Sequence, residues 1–557
     1  MKKLIYLLSL TFVLSACSDF LNEDNKGGIT SDEFYSTADG FETLVTATYS
    51  SLRTMFGSQP WLLVAGTDMY QISRRDDNHG IQRYDVLEAN NGSVRDFYQL
   101  AYAGIQVANT GLFYADKGPD MNAATLRTRQ AELRFLRAFY HFLLLEQFGG
   151  VAINDVMTDA PRVNMPRASL SDTYNFIIAE MEAIINDLPA TANPKGRVDQ
   201  RVVRHYLAKV YLTRAYDLNS QADFTKAKDY AEAAIASQAI SIPFETLWSP
   251  ANQNNEEVIF AVQYHLNSMP NPETSGNMQQ ALFGPYLGGP ERGHKYSDTN
   301  FFPTWYLHSL FEEDDARYDA TFMRKVYQRY FYYYERTADQ LANTPIDWYY
   351  PRKWNGAWTE TDTEAWRNED PANRANTTIY PFPVNESDWM TPINFDGAYP
   401  IIKKFDDPSN QRWSTSSSSR DIVLARLAET YFIAAEAYLG LSQPQQAADK
   451  INAVRNRPGN SKSGGSLAEI TSAEMTLNRL LQESAKEFAG EYLRWPELRR
   501  TKKLIELCVA HNPNIRPIGE SAFRGLDGQN KVYRPIPEDA IILNQGLTQN
   551  PGYSSGN

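Results

Sequence analysis

Cysteine is nearly absent. Cys17 and Cys508 are the only two in 557 residues. With Cys17 at the end of a leader, the exported chain has no internal disulfide, and its stability has to come from packing. Cys508, isolated near the C-terminus, reads as a buried apolar-like residue rather than a nucleophile. Histidine is sparse too. His79, His141, His205, His265, His294, His308 and His511 never fall within five residues of one another. No H-x-x-x-H pair and no C-x-x-C exists, so neither a metal nor another cofactor is expected. The chain also lacks a G-x-S-x-G elbow and a phosphate-binding loop. Beyond the opening there is no run of 18 apolar residues that could insert into a bilayer as a helix. Positive charge is in deficit, with 54 Lys and Arg against 67 Asp and Glu and a net charge of −13. That balance argues against nucleic acid, whose phosphates need clustered cations.

The opening, MKKLIYLLSLTFVLSAC, has a positive start in Lys2 and Lys3 and an apolar stretch from Leu4 to Leu14. This is a signal peptide, residues 1–16, too short to span a membrane permanently. A plain secretory leader would end on any small residue. The order Leu14-Ser15-Ala16-Cys17 instead resembles the bacterial lipobox, in which the new N-terminal cysteine is acylated. Stable anchoring takes more than one acyl chain, which a triacylated Cys17 provides.

Residues 17–40 read as a lipidated polar tether. From Phe41 the apolar spacing turns helical, with Phe41, Leu44, Val45, Thr48, Leu52 and Met55 at three- and four-residue steps. Further helices are predicted over about 93–115, over the run ending at Gly149-Gly150, and from a Ser169 or Ser171 cap to Asp187. Two later stretches share a small-residue register: Ala215, Ala227 and Ala234 are spaced by 12 and 7, as are Ala435, Ala447 and Val454. Such spacing marks tetratricopeptide-like helix hairpins, in which small side chains let paired helices approach closely. The expected organisation is a helical frame over 41–240, an irregular region over 241–420 with few helices beyond 301–325, and a second hairpin, a helix over about 472–490 and a tail within 421–557. The long insertion interrupts any continuous solenoid.

The insertion concentrates aromatic residues. Of the ten tryptophans, Trp305, Trp348, Trp354, Trp358, Trp366, Trp389 and Trp413 lie here. In DWYYPRKWNGAWTETDTEAW the rings of Trp348, Trp354, Trp358 and Trp366 alternate with Arg352, Asn355 and Asp362; in FGPYLGGPERGHKY, Tyr286 and Tyr296 stand in a glycine-rich loop. Flat rings interleaved with polar groups suit sugars, whose C–H faces pack on aromatics while their hydroxyls seek planar partners. The same rings could equally staple long loops to the frame. Tyr330 to Tyr334 is read as packed structure. Glycoside hydrolysis needs two suitably separated carboxylates. Glu312-Glu313-Asp314-Asp315 and Asp76-Asp77 are nominal candidates, though such runs are usually solvated or cap helices.

Several fragments together carry a family resemblance: CSDFLNE, AELRFLRAFYHFLLLEQFGGV, GRVDQRVVRHYLAKVYLTRA, FEEDDARYDATF, ARLAETYFIAAEAYL, INAVRNRPG, RLLQESAKEFAGEYLRWPELRRTKKL and YRPIPEDAIILNQGLTQNPGY. In this order they resemble the SusD/RagB family of outer-membrane nutrient-binding lipoproteins. Where that family often carries an Arg-Glu-Leu-Ala-Phe-Glu-Gly-His-Arg-Trp run, this chain has Glu483 to Trp495, a scaffold difference. The resemblance implies a mainly α fold, a tetratricopeptide-like frame with an irregular insertion bearing the binding face, and no enzymatic activity. It further implies a glycan ligand (in some branches a peptide), a SusC-like TonB-dependent transporter as partner, and a lipid-anchored place on the outer membrane facing the exterior. The loop TDMYQISRRDDNHG matches a region where family members contact ligand, which adds Tyr70, Arg75 and Asn78 to the expected site.

Overall fold

A computed structural model describes residues 30–72, 79–297, 301–389, 399–410 and 415–553. The expectations for the leader, Cys17, Arg75, Asn78, Asp76, Asp77 and Trp413 fall outside these residues.

The fold is mainly helical. Its frame comprises α1 (Ala38–Arg53), α2 (Gly92–Asp116), α3 (Ala123–Phe148), α4 (Leu170–Ile184), α5 (Gln200–Leu218) and α6 (Gln221–Ile235), and later α7 (Leu427–Gly440) and α8 (Pro444–Arg455). The starts of α1 to α6 are written locally. The side chains of Thr37, Asn91, Asn122, Ser169, Asp199 and Ser220 each accept a backbone N–H from the first turn. Gly149, at φ +76°, ends α3 as its sequence position suggests. Gly104 and Gly111 of α2 lie two turns apart against Tyr140 and Leu133 of α3. A Cβ on Gly104 would stand 2.5 Å from the Tyr140 ring, so the helices sit as close as glycine allows.

The repeated register is buried throughout: Ala215, Ala227, Ala234, Ala435, Ala447 and Val454 are each at most 2% exposed. The two turns also match, with Asn219 and Ser442 both left-handed at φ +54° and +59°. Although far apart in sequence, the hairpins α5–α6 and α7–α8 are neighbours, because α6 packs against α7. The insertion therefore interrupts the sequence of the repeat without separating its halves. It leaves and returns through one antiparallel ribbon, β2 (Val258–Val262) against β9 (Ile422–Arg426).

Within the insertion the structure differs from the expected helix over 301–325. That stretch is a strand, two single-turn helices (Trp305–Ser309 and Arg317–Thr321) and two more short strands. Three further small sheets organise the loops. β1 (Tyr70–Ile72) pairs with β3 (Phe301–Pro303), and β4 (Phe322–Met323) with β8 (Ile401–Ile402). β5 (Lys325–Tyr327), β6 (Ile346–Tyr349) and β7 (Thr378–Ile379) form the third. A ten-residue helix, Glu360–Glu369, opens on a reciprocal cap between Thr359 and Asp362, a signature present in the sequence inside the tryptophan-rich run. Tyr330 and Tyr334 are packed as expected, their hydroxyls donating to Asp406 at 2.7 and 2.6 Å. Tyr332 leaves their face and lies under the Arg336 guanidinium at 3.5 Å, since one helical turn replaces strand alternation here.

Insertion and frame are joined by a buried ionic cluster around α9 (Leu477–Glu487). Arg317 reaches Asp315, Glu483 and Glu487; Arg426 reaches Glu257, Glu487 and Glu491; Arg457 pairs with Glu257 and Glu487, and Arg455 with Glu483. These side chains are 4% exposed or less. Burial pushes the carboxyl of Glu487 up, but Arg426, Arg457 and Arg317 overcome it and hold it at about 2. The acidic run at 312–315 is thereby accounted for. Asp315 is fully buried against Arg317, and Asp314 accepts from Ser461 and Ser463.

Candidate functional site

The tryptophan-rich run does not form one platform. Trp348 and Tyr349 are successive residues of β6, so the pleat sends them to opposite faces. Trp348 joins Leu287, Val326, Tyr330 and Tyr350 on one face, while Tyr349 joins Tyr327, Trp358 and Trp366 on the other. Trp354 occupies a third seat, beside Tyr318 and under the Arg352 guanidinium, 3.6 Å above the ring.

Two expected contacts are corrected. Tyr70 is 3% exposed: its ring packs on Phe283 and its hydroxyl accepts the Gly490 N–H at 2.6 Å, which leaves no face for a ligand. Trp366 is 8% exposed, stacked on Tyr349 at 4.5 Å with the Arg374 guanidinium over it. Both rings tie loops to the frame. Trp358 is half-buried, its edge against Tyr349 and its indole N–H donating to Thr363 at 2.9 Å. Cys508 is fully buried, and burial raises its thiol well above the ordinary range.

Tyr286, Tyr296 and Trp348 are all half-buried, and Tyr286 and Tyr296 pair directly. The glycine-rich loop is built for close approach. Gly284, at φ +115°, passes so near Ile401 of β8 that a Cβ would lie 2.9 Å from it. Beneath the loop Lys295 is buried. Its ammonium bonds Asp406 and donates to the carbonyls of Gln280 and Ile402 at 3.0 and 3.3 Å. On this anchor Tyr286 meets Tyr296 edge to face at 6.0 Å, and His294 of the same loop packs on Trp348 with ring centres 5.0 Å apart.

Polar groups flank the rings. Tyr286 donates to Glu291 at 2.7 Å, a bond that raises the phenol and draws the carboxyl down. Asp347, beside Trp348, lies 3.6 Å from His294. Glu291 and Asp347 were not singled out from the sequence, where they are ordinary loop acids. Glu291 meets Tyr286 within its own loop, while the loop's approach to β6 brings Asp347 to His294. Chemically, the arrangement offers apolar ring surface bordered by hydrogen-bond acceptors. Among the described residues no cluster of three His, Cys, Asp or Glu could hold a metal.

Paired helices carrying a long loop-rich insertion are a fold of the SusD type, and comparison with known proteins agrees. The SusD family profile matches residues 246–553, and a second, for starch-binding proteins associating with the outer membrane, matches 19–212. The chain belongs to the SusD family. SusD-like protein P2 of Formosa agariphila is 25% identical over 577 residues, covering 99% of each chain. Among solved structures, a laminarin-binding SusD-like protein aligns with a TM-score of 0.65 at 20% identity, covering 93% of this chain and 100% of the other. Surface glycan-binding protein A from Bacteroides thetaiotaomicron, in complex with laminarihexaose, aligns with a TM-score of 0.65 at 19% identity, over 92% and 99%.

Proposed function

We propose that this chain is a non-enzymatic, cell-surface lipoprotein that captures an oligo- or polysaccharide and passes it to a SusC-like TonB-dependent transporter. Cys17 carries the lipid that moors it to the outer membrane, facing outward. The ligand lies across Tyr286, Tyr296 and Trp348, with Glu291 and Asp347 taking sugar hydroxyls. Trp354, Trp358, Arg75 and Asn78 stand as further ligand contacts, apart from the Tyr286–Tyr296 pair. The observation that carries this reading is the half-buried Tyr286–Tyr296 pair on a glycine-built loop whose His294 packs on half-buried Trp348, in a member of a family with laminarin-binding neighbours. The glycan-bound neighbour favours sugar over peptide.

The test is calorimetry on residues 18–557 with neutral plant, host and microbial oligosaccharides. Stacking one sugar on one ring is worth about 1.4 kcal/mol, so Tyr286→Ala is expected to weaken binding roughly tenfold with the fold unchanged. If no glycan binds and short peptides do, the reading fails.

A further inference from the structure

The opposite face of the small sheet borders a cavity of about 480 Å³, in the size range of small-ligand sites. Its lining is cationic although the chain as a whole is acidic. Arg324, Lys325, Lys403 and Lys462 stand against only two carboxylates, Asp319 and Glu245. Asp319 is shared, 3.1 Å from Arg324 and 2.7 Å from Lys462. Glu245 accepts from the Tyr333 hydroxyl at 2.8 Å and lies 3.8 Å from Lys403, whose ammonium bonds that same hydroxyl. Lys325 has no carboxylate within ion-pair reach among the described residues, and its ammonium sits 5.9 Å from the centre of the Tyr349 ring. Partial desolvation, and after it the nearby Arg374 and Arg324, pull its pKa down.

A second cavity of the same volume, among α2, α3 and α4, sharpens the contrast. There Arg127, Arg134 and Arg137 face Asp116, Asp155 and Asp187, and two of the arginines are already paired with Glu180. That cavity is balanced; the one beside Tyr349 carries a surplus of two positive charges. Three phenol rings, Tyr327, Tyr333 and Tyr349, bound it as well. Focused positive potential in a concave site recruits an anion, and aromatic walls suit a pyranose ring better than a peptide's backbone.

We propose that this cleft is a second binding site, on the other side of the sheet from Tyr286, for a sugar residue bearing an anionic group, either carboxylate or sulfate. Lys325 and Arg324 hold the anion and the tyrosines bound the ring. The proposal rests on the glycan reading above. It also answers the acidic net charge, which by itself disfavours such ligands: the field at the cleft is local.

The experiment titrates residues 18–557, Lys325→Gln and Lys462→Gln with trigalacturonate, its methyl ester, a sulfated galactose disaccharide, a hexaglutamate peptide, laminaritriose and maltotriose. Lys325 is solvent-exposed, so its substitution leaves the fold intact. Binding of trigalacturonate or the sulfated disaccharide is expected to weaken at least fivefold in both variants and to fall with added salt. Neutral oligosaccharide binding is expected to stay within twofold. Loss of binding on methyl esterification assigns a carboxylate; binding of the sulfated sugar alone assigns a sulfate. If neutral glycans bind and no acidic sugar does, the cleft proposal is overturned and the glycan reading stands. If neither class binds, both fall. Acidic sugar that binds equally to the variants, or hexaglutamate that binds more tightly than either acidic sugar, also overturns it.

Discussion

Replacing Arg317 by methionine probes what joins the insertion to the frame. Arg317 is fully buried and donates four side-chain hydrogen bonds: two to Asp315 at 2.9 and 2.7 Å, one to Glu487 at 3.1 Å and one to Glu483 at 3.2 Å. Methionine fills much of the volume but removes the charge. Glu483 keeps Arg455 at 2.6 Å and Lys486 at 2.7 Å, and Glu487 keeps Arg426 and Arg457. Asp315 keeps Lys486, at 3.9 Å, as its one cationic partner, and the backbone N–H of residue 317 at 3.1 Å. One carboxylate is stranded, not three, and the expected loss is that of a single broken buried pair, about 3–5 kcal/mol. Urea unfolding of residues 18–557 at pH 7, followed by tryptophan fluorescence, measures it. Adding Asp315→Asn to Arg317→Met removes the stranded charge and is expected to recover at least half of the loss. A loss under about 1 kcal/mol for the single variant, or a double variant no more stable than the single, would refute the claim that this pair is uncompensated.

Two further outcomes follow from the interior. Glu487, and Glu429 beside Lys209 and His205, overcome burial and are held at about 2, below the ordinary value of 4.5. Their stabilisation is complete above pH 4.5 and is lost as pH falls towards 2, on the order of 3 kcal/mol each; a urea midpoint that stays flat between pH 5 and 3 would contradict this. Gly104→Ala should improve helix propensity by about 1 kcal/mol, yet the new methyl meets the Tyr140 ring, and overpacking costs about 1–3 kcal/mol. A net fall in the urea midpoint is expected, and a rise would show that α2 and α3 part without cost.

Much of the frame was legible because its signals are local. Caps sit within three residues of the helix starts they serve, and a small-residue register repeats within a single hairpin, so Ser169, Gly149 and the alanines of α5 to α8 could be read in order. The insertion was less so. Its helix over 301–325 proved to be short strands and single turns, since runs of two or three paired residues leave no periodicity to detect. The richness of the insertion in rings was legible; which rings are interior was not. Tyr286, Tyr296 and Trp348 are half-buried, whereas Tyr70 and Trp366 are interior.

By itself the sequence determined the mainly helical class, the hairpin register, the family and the richness of the middle region in rings, all of which depend on residues close together in the chain. The tertiary structure alone decided which rings stay open, because burial is set by partners tens to hundreds of residues away, as Gly490 is to Tyr70. It also separated Trp348 from Tyr349 onto two faces, and drew Arg317, Arg426, Arg455 and Arg457 around the carboxylates of α9. Charges so far apart in sequence cancel only when the fold removes water from between them.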